Sequence, residues 1–378
     1  MRMIQVGVVG TGFSASSHVE ALRRLPGVVV AGVAGSSKEK SEAFAKELGI
    51  PSAYPDYRAL VTDPKIQAVH NCTPNALHFE INKLALEQGK HLLSEKPLAM
   101  DPEQSGELVR LAERAQVQSA VCFNYRHYPM VAQAKELLRK GQGGKPIHVH
   151  GGYLQDWLLL DSDYSWRLDP EVNGVSRAIA DIGSHWCDTV QYVLDKKIVA
   201  VCADLKTAHP VRRKPLVSAA TFNPLQGGKT EKVDIESEDY GSVLVHFEDD
   251  VQGVFTVSQV SAGRKNRLFF EVAARQSAIA WDQELPNRLW VGKRGEASEI
   301  WVKDPEILAP RPAALAHYPG GHEEGWPDGL KNLCADFYGY MTDRRRRTTH
   351  ATFADGHRIV ELVDAILRSH RERRWIDL

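Results

Sequence analysis

The chain has 378 residues, of which 43% are hydrophobic and 25% charged, a composition typical of a globular protein with room for two domains. Its formal net charge of -1 argues against nucleic acid or a membrane surface as the main partner. The basic run 344–347 is interpreted as a solvated loop or helix end. Five scattered cysteines without a C-x-x-C pair, and no predicted signal peptide or membrane span, indicate a cytoplasmic protein.

The first third of the chain alternates predicted strands with predicted helices. Strands are predicted at 4–9, 28–33, 66–70, 91–94 and 118–123, and helices at 15–25, 37–48, 76–88 and from residue 102. Gly49 and Gly89 are typical helix ends, and Asp101 followed by Pro102 is a typical helix start. This alternation predicts a parallel sheet covered on both faces.

From about residue 146 the pattern changes to short alternating segments. Strands at 147–155, 242–247, 253–260 and 267–272 predict a largely antiparallel sheet with one covered and one open face. Residues 207–233 are predicted to form a loop, and residues 303–330 a long ordered loop. The apolar residues 359, 363, 366 and 367 predict a C-terminal helix.

A glycine-rich turn joins the first predicted strand to the first predicted helix and fits the pattern G-x-G-x-x-G/A. Gly10 permits the tight turn, Gly12 lets the backbone approach a pyrophosphate, and Ala15 keeps strand and helix close. Phe13 and Ser14, which lie between them, are also predicted to bind the cofactor. We therefore predict a dinucleotide site, against the alternative of an ordinary glycine-rich turn.

The end of the second predicted strand carries Ser36, Ser37 and Lys38 instead of the acid that usually binds the ribose 2′-hydroxyl of NAD. Hydroxyl groups followed by a cation suit a 2′-phosphate, so NADP is modestly favoured over NAD. Ser36 with Glu39 also fits a capping box, which needs no ligand, and Glu39 or Glu42 could bend back to a ribose. The predicted cofactor is therefore NAD(P), with the phosphate unresolved.

Two further segments carry reactive side chains. Lys96 follows a predicted strand at the sheet edge where ligands bind, and Pro97 restricts its backbone. A lysine beside a nicotinamide can stabilise a developing alkoxide. Asp181, His185 and Asp188 fall four and then three residues apart, so on a helix they share one face. Taken singly, each has an ordinary structural explanation: a surface lysine, a helix N-terminal acid or a packed histidine.

These segments occur together in the order typical of one family. They are G-T-G-F-S-A at 10–15, N-C-T-P-N-A-L-H at 71–78, S-E-K-P at 94–97, D-I-G-S-H-W-C-D at 181–188, S-E-D-Y-G-S-V at 237–243 and G-G-H-E-E-G-W-P-D at 320–328. Over essentially its whole length the chain resembles the glucose-fructose oxidoreductase, inositol dehydrogenase and rhizopine catabolism (Gfo/Idh/MocA) family.

The resemblance implies an α/β protein of two domains. Residues 1–125 would form a doubly wound Rossmann domain, and residues 126–354 an α/β domain for substrate binding and oligomerisation. The large, mostly antiparallel open sheet of the second domain would form a homodimer or homotetramer. The C-terminal helix, 355–372, would pack back on the first domain.

The resemblance also implies roles for individual residues. Lys96 would hold the reacting oxygen, His185 would be the general acid/base, and Asp181 would orient the substrate or the histidine's partner. Further cofactor-binding residues would be Thr73, Pro74, Asn75, His78, Glu95, Asn124 and Arg126. Further substrate-binding residues would be Trp166, Arg167 and His322. A helix cap at Asn75 and an ordered turn at His322 are the alternatives, and no metal site is predicted.

The predicted activity is NAD(P)-dependent hydride transfer to or from a secondary alcohol of a sugar, an inositol or a related polyol. Two alternatives stay open: a glycosidase of the same family that uses a bound nicotinamide transiently, and a dinucleotide-binding regulator without catalysis. The joint presence of Lys96, Asp181 and His185 argues against a regulator. A metal hydrolase is the weakest interpretation, because Asp181, His185 and Asp188 lack supporting ligands.

Overall fold

The computed structural model describes residues 3–216 and 229–378, and the chain divides into two compact units. The first unit comprises Met1–His127 and Trp326–Val360, and the second comprises Tyr128–Gly325 and Glu361–Leu378. All five cysteines are free thiols. No helix in the described part of the chain has the length and apolar character needed to span a membrane.

The first unit contains a six-stranded parallel sheet. Its strands are β1 (Ile4–Val9), β2 (Val28–Ala34), β3 (Ser52–Tyr54), β4 (Ala68–Asn71), β5 (His91–Ser94) and β6 (Ser119–Val121). They are joined by helices α1 (Phe13–Arg23), α2 (Lys38–Leu48), α3 (Tyr57–Thr62), α4 (His78–Glu87) and α5 (Pro102–Ala115). The strand order β3-β2-β1-β4-β5-β6 confirms the predicted doubly wound fold.

Local sequence signals set the helix boundaries in this unit. At the start of α2, the Ser37 side chain accepts a hydrogen bond from the N–H of Lys40. At the start of α5, the Asp101 side chain accepts one from the N–H of Gln104. Gly49 ends α2 in the left-handed conformation, with φ 59°. The sequence analysis missed β3 and α3, because segments of three and six residues carry too little periodicity to be recognised.

The second unit is built around a nine-stranded mixed sheet. Its strands are β7 (Pro146–Leu154), β8 (Ile198–Lys206), β11 (Tyr240–Phe247), β12 (Val251–Ser258), β13 (Arg267–Ala274), β14 (Ser277–Asp282), β15 (Arg288–Lys293), β16 (Glu299–Val302) and β17 (Ile376–Asp377). The strand order is β16-β15-β14-β13-β7-β12-β11-β8-β17. β7 and β12 pair in parallel and the other neighbours pair antiparallel, which confirms the predicted mostly antiparallel sheet.

Helices complete the two units. They are α6 (Pro129–Arg139), α7 (Pro170–Asn173), α8 (Ser184–Leu194), α9 (Pro310–Ala313), α10 (Trp326–Thr342) and α11 (Phe353–Glu372). A π-helical turn, Ile179–Gly183, leads directly into α8. The sheet of the second unit alternates in burial, so that one face is covered and the other, called here the open face, is exposed.

The segment 207–233 is more ordered than the sequence predicted. In its described part, β9 (Val211–Pro215) and β10 (Thr230–Asp234) form an antiparallel hairpin. The loop expectation for 217–228 lies outside the described residues. The hairpin was not predicted from the sequence, because β9 and β10 contain many charged residues and few apolar ones.

The structure places residues 326–354 in the first unit, whereas the sequence analysis assigned them to the second domain. The cause is hydrophobic packing: Leu330, Leu333 and Phe337 of α10 belong to the same buried core as Val6 and Val8 of β1. Helix α11 is divided after Val360, so only its first part belongs to the first unit. Its later part packs in the second unit, where Ser369 accepts a hydrogen bond from the N–H of Ala203.

Candidate functional site

The glycine-rich turn between β1 and α1 has the backbone that a phosphate site requires. Gly10 has φ 121°, and a Cβ there would lie 2.5 Å from the carbonyl oxygen of Cys72, so both conformation and space demand glycine. Gly12 precedes α1, and a Cβ on it would enter open space. Phe13 is exposed and Ser14 half-buried at the first two helical positions. The N-terminus of α1 is therefore open to an anionic ligand.

The end of β2 carries small polar residues and a cation. Ser36 and Lys38 are exposed, and Lys38 lies 3.7 Å from Glu42 on the helix surface. The helix cap is Ser37, not Ser36 as the alternative from sequence supposed. Glu39 is held at the start of its own helix, where hydrogen bonds with the backbone and Ser37 lower its pKa. That arrangement leaves the serine hydroxyls and Lys38 as the groups nearest the end of the strand.

The turn after β4 is fixed by buried amide side chains. Asn71 accepts hydrogen bonds from the N–H and hydroxyl of Thr73 at 3.3 and 2.7 Å, and its own amide donates to Asn82 at 2.9 Å. Pro74 is exposed, and Asn75 begins a 3-10 turn without capping it. Asn71 and Asn82 were missed from sequence, although an asparagine inside an apolar strand is the signal that could have revealed the first of them.

His78 connects two loops of the first unit. Its ring nitrogens lie 2.6 Å from the carbonyl oxygen of Pro97 and 2.9 Å from that of Thr73. Burial lowers the pKa of this histidine. The Lys96–Pro97 peptide bond is cis. His78 thus holds the turn that carries Lys96 against the segment that follows β4.

A chain of buried polar groups begins beside Lys96. Glu95 accepts hydrogen bonds from the backbone N–H of Lys96 and from His18, both at 3.2 Å. His18 contacts His70 through their Nδ1 atoms at 2.7 Å, and His70 contacts the hydroxyl of Tyr338 at 2.8 Å. Although burial opposes ionisation of Glu95, the hydrogen bond with His18 and the charges of His18 and Lys96 lower its pKa to about 2. Glu95 is therefore a carboxylate at neutral pH.

Two more predicted residues lie in the 3-10 turn that follows β6. Asn124 is buried, and among residues 3–216 and 229–378 no group accepts a hydrogen bond from its Nδ2 atom. Arg126 lies 3.7 Å from Asp355 and is largely buried. The Asn124 amide is thus a donor that a bound molecule could satisfy.

These observations test whether a nicotinamide dinucleotide suits the first unit. The open N-terminus of α1 suits a pyrophosphate, the serine hydroxyls after β2 suit a ribose, and the Asn124 amide offers a buried donor. Lys96 is half-buried at the carboxyl end of β5, on the same edge of the sheet. The residues present therefore fit such a cofactor.

The second unit contains the other predicted catalytic and substrate-binding residues, and the first of these described here is Asp181. Asp181 lies in the π-helical turn before α8, whereas the sequence analysis expected one uniform α-helix. π-Turns of this kind occur often at functional sites. The carboxylate of Glu238 accepts hydrogen bonds from the N–H groups of Arg177 and Ile179 at 3.0 and 2.9 Å, so it caps the start of this helical segment.

A buried network holds the Asp181 carboxylate. Its Oδ2 atom accepts a hydrogen bond from Gln259 at 2.9 Å, and Gln259 in turn accepts one from Arg177 at 2.8 Å. Arg177 also donates to Asp239, which accepts a second bond from Arg212 at 2.6 Å. Burial opposes ionisation of Asp239, but the two guanidinium groups lower its pKa. Asp181 is therefore anchored to a fully buried ion-pair cluster.

The sequence analysis missed Arg177 and Gln259, and it gave no role to the S-E-D-Y-G-S-V segment. In the structure Glu238 caps the helix of Asp181 and Asp239 anchors the arginines. Two adjacent acids before a predicted strand were the available signal. Ile179 lies 59 residues from Glu238, and Arg177 and Arg212 lie 62 and 27 residues from Asp239, separations that a single sequence does not reveal.

Arg167 approaches Asp181 from the other side. Its Nε atom lies 3.6 Å from Oδ1 of Asp181, and its guanidinium carbon lies 4.6 Å from the centre of the Trp166 ring. Trp157 lies 5.6 Å from the same guanidinium. Among the described residues its Nη1 atom is buried without a hydrogen-bond acceptor. The structure thus brings together three predicted residues, Trp166, Arg167 and Asp181.

His185 begins the regular part of α8 and is almost fully buried. Its ring centre lies 6.2 Å from that of Tyr153, whose hydroxyl donates to Asn266. Asp188 is buried one turn later on the same helix.

The loop that contains His322 is held by a buried ion pair. Lys303 contacts Glu324 at 2.6 Å, with both side chains 1% exposed. Lys303 also donates to the carbonyl oxygens of Tyr318 and His322 at 3.0 and 2.8 Å. His322 itself is exposed. These bonds, and one from Asn287 to the carbonyl oxygen of Glu324, agree with the expected ordered loop as far as residue 325. The loop expectation was wrong for 310–313, which form α9, and for 326–330, which begin α10.

One group of metal-binding side chain types occurs among the described residues. His18, Glu95 and Cys122 each offer a ligand atom, and these atoms lie within 4.8 Å of one another. All three residues belong to the first unit.

Comparisons with known proteins identify both units. Residues 4–123 match the model of the oxidoreductase family with an NAD-binding Rossmann fold, and residues 131–279 match the GFO/IDH/MocA C-terminal domain. Levoglucosan dehydrogenase of Pseudarthrobacter phenanthrenivorans is 28% identical over 400 aligned residues, covering 100% of this chain and 99% of that protein. D-xylose 1-dehydrogenase (NADP(+)) 2 of Haloferax volcanii is 31% identical over 47% of this chain and 54% of that protein.

A solved structure of levoglucosan dehydrogenase in complex with NADH and levoglucosan superimposes with a TM-score of 0.90 at 27% identity. The alignment covers 100% of this chain and 99% of that chain. The order of motifs, the doubly wound sheet with its glycine-rich turn, and the two matching family models lead to one conclusion. The chain belongs to the Gfo/Idh/MocA family of oxidoreductases, with an NAD-binding Rossmann domain and the C-terminal domain of that family.

Proposed function

We propose that this protein is an NAD(P)-dependent dehydrogenase or reductase that acts on a secondary alcohol of a sugar, an inositol or a related polyol. One observation carries the proposal: a chain of this oxidoreductase family combines Lys96, two residues after β5, with Asp181 in the π-helical turn before α8 and His185 in the first turn of α8. The names of the relatives, levoglucosan dehydrogenase and D-xylose 1-dehydrogenase, support a carbohydrate substrate.

Lys96 is proposed to hold the reacting oxygen. Its ammonium group would stabilise the negative charge that develops on this oxygen when the hydroxyl proton leaves. The turn that carries Lys96 can position the ammonium group because hydrogen bonds between its backbone and the side chains of Glu95 and His78 hold it in place. When bound, the nicotinamide accepts or supplies the hydride.

His185 is proposed to move the hydroxyl proton, and Asp181 to orient the substrate. An imidazole has an ordinary pKa of about 6.5, so it can accept and return a proton near neutral pH. In the direction of oxidation His185 acts as the base, so kcat/KM should be lost at acid pH, where an imidazole is protonated. Arg167, Trp166 and the exposed His322 are proposed to contact the substrate.

For the cofactor, NADP is modestly favoured over NAD. The segment after β2 contains no acid at the usual ribose-binding position, and carries Ser36, Ser37 and Lys38 instead. Glu39 is held by hydrogen bonds at the start of its own helix. The remaining predicted cofactor contacts are Gly10, Gly12, Phe13, Ser14, Thr73, Pro74, Asn75, His78, Glu95, Asn124 and Arg126. We also infer a homodimer or homotetramer formed through the open face, which carries exposed apolar side chains.

Steady-state kinetics of Lys96→Met and His185→Asn test the proposed chemistry. With a panel of sugars and inositols, each variant should lose about 100- to 10,000-fold in kcat, because each removes a group that acts in the transition state. The cofactor should still bind, as measured by quenching of tryptophan fluorescence. The double variant should lose little more than the worse single one, because residues that act as a unit are not additive.

The matched controls are Lys46→Met on the exposed surface of α2 and His148→Asn on β7, both away from the proposed residues. Full activity in Lys96→Met, or a pH profile of His185→Asn that keeps the acid limb of the wild type, would contradict the assignment. Net reduction of NAD or NADP by a free sugar distinguishes a dehydrogenase from a glycosidase that uses its nicotinamide transiently.

A further inference from the structure

Three donor atoms of different chemical type meet beneath the turn that carries Lys96. Nε2 of His18, on α1, lies 3.2 Å from Oε1 of Glu95 and 3.6 Å from Sγ of Cys122, which follows β6. We propose that His18, Glu95 and Cys122 form a binding site for a thiophilic divalent cation such as zinc. This inference does not depend on the proposed function, because it rests on these side chains alone.

The distances between the donor atoms fit tetrahedral coordination. With Zn–N of about 2.1 Å, Zn–O of about 2.1 Å and Zn–S of about 2.3 Å, a tetrahedral ion separates nitrogen from oxygen by about 3.4 Å and nitrogen from sulfur by about 3.6 Å. The observed separations are 3.2 and 3.6 Å. Three protein ligands would leave a fourth position for water. Little movement of the chain is therefore needed to admit the ion.

The remaining atoms of the ligands are held by other groups, as metal ligands usually are. Nδ1 of His18 contacts Nδ1 of His70 at 2.7 Å, and Nε2 of His70 contacts the hydroxyl of Tyr338 at 2.8 Å. If Nε2 of His18 binds a cation, its Nδ1–H donates to His70, and the Nε2–H of His70 donates to Tyr338. The bonds between His18 and His70 and between His70 and Tyr338 are thus kept, and the ion replaces the hydrogen bond between His18 and Glu95.

The charges of the site also favour a cation. A carboxylate and a thiolate together offer two negative charges to a divalent ion. Binding therefore replaces the thiol proton of Cys122, which leaves to solvent, and converts the sulfur to a coordinated thiolate. The Glu95 side chain is 15% exposed, so an ion can reach the site from solvent on this side.

Binding would have a functional consequence through Lys96. The other oxygen of Glu95 accepts the backbone N–H of Lys96 at 3.2 Å, so a cation that draws Glu95 toward His18 and Cys122 would move the lysine's turn. This effect, unlike the site itself, rests on the proposed function: we expect zinc to inhibit the proposed dehydrogenase reversibly and a chelator to restore activity.

Spectroscopic titration of the cofactor-free protein tests the site without relying on activity. Cadmium(II) should produce the ultraviolet absorption of a cadmium–thiolate bond that saturates at one ion per chain, and cobalt(II) should give the visible bands of a tetrahedral site. Cys122→Ser and His18→Gln should lose these bands or bind at least tenfold more weakly. Cys202→Ser, in β8 of the second unit, is the matched control and should keep them.

Two results would overturn the proposal. The first is a wild-type protein that shows no saturable thiolate band, and this result needs no variant. The second is a band that persists in folded Cys122→Ser, which would assign the ion to another buried thiol of the same core, such as Cys72 or Cys334. Should Cys122→Ser fail to fold, a rise in the melting temperature of the wild type with zinc, reversed by chelator and absent in His18→Gln, supports the site, and its absence refutes it.

Discussion

At the scale of single residues, the side chain of Asp181 is positioned by groups that do not themselves react. Gln259 donates to its carboxylate, and behind Gln259 lie Arg177 and Asp239, both fully buried. A buried hydrogen-bonded network of this kind restricts its members to one arrangement. Gln259 is therefore expected to fix the direction of the carboxylate without touching the reacting atoms.

Replacing Gln259 tests this positioning role. Gln259→Leu removes the donor to Asp181 and the acceptor of Arg177, so we expect kcat to fall by up to about 100-fold, the cost of a reacting group displaced by about 1 Å. The dissociation constant of the cofactor should change little. Steady-state kinetics and cofactor titration measure the two effects separately.

Gln276→Leu is the matched control, because Gln276 is exposed in the turn between β13 and β14. It should keep the kcat of the wild type. Equal losses in the two variants would show that the effect comes from a general disturbance of the second unit, not from Asp181.

The proposed preference for NADP also depends on a few side chains. Ser37→Asp with Lys38→Ala replaces a hydroxyl and a cation by an acid, which binds a ribose 2′-hydroxyl and repels a 2′-phosphate. Aspartate is as good an N-cap as serine, so α2 should be retained. We expect the ratio of kcat/KM for NADP to that for NAD to fall at least tenfold. Lys46→Ala, at the other end of α2, is the control, and an unchanged ratio in the double variant would refute the 2′-phosphate interpretation.

At the scale of elements, helices with their own capping residues could be predicted, and elements that depend on distant partners could not. Asp101 with Pro102 marks α5 in the sequence, and the structure begins that helix at the predicted place. By contrast, the sequence of α10 does not indicate which of the two hydrophobic cores the helix belongs to. Its assignment depends on contacts with α1, which lies more than 300 residues earlier in the chain.

The packing of α10 makes a quantitative prediction. Leu333 is fully buried in the core of the first unit, so Leu333→Ala should lower the free energy of unfolding by about 2–5 kcal/mol through lost burial and the cavity that remains. The melting temperature of the first unit, followed by calorimetry, measures this change. Thr342→Ala, at the exposed end of the same helix, should leave the melting temperature nearly unchanged. A small effect of Leu333→Ala would place α10 outside the core.

At the scale of the whole molecule, motifs were more informative than periodicity. The glycine-rich turn and the alternation of strands and helices predicted the first sheet, because both signals are local. The cluster of Arg177, Arg212 and Asp239 could not be predicted, since its members come from three separated segments and arginines are usually exposed. The site residues therefore followed from family motifs, and the groups that hold them became visible only in the fold.

The open face of the nine-stranded sheet leads to the prediction about assembly. Leu244 of β11 and Val254 of β12 are paired in register on this face and are 49% and 38% exposed. Trp290 of β15 and Ile300 of β16 form a second exposed apolar pair. In the same register row, His150, Glu271 and Ala280 lie between the two pairs. Two exposed apolar pairs on one face indicate a surface that another protein covers, and the proposed occupant is a second copy of this chain.

Leu244→Lys with Val254→Lys places two like charges opposite each other at the centre of this face. An assembly that buries them would have to desolvate both ammonium groups, so the variant should have the mass of a single chain whereas the wild type has that of a dimer or tetramer. Light scattering coupled to size-exclusion chromatography measures the masses. Leu285→Lys, in the turn between β14 and β15, adds a charge at another exposed leucine and should leave the assembly intact. A monomeric wild type, or an unchanged mass in the double variant, would show that copies of this chain do not associate through the open face.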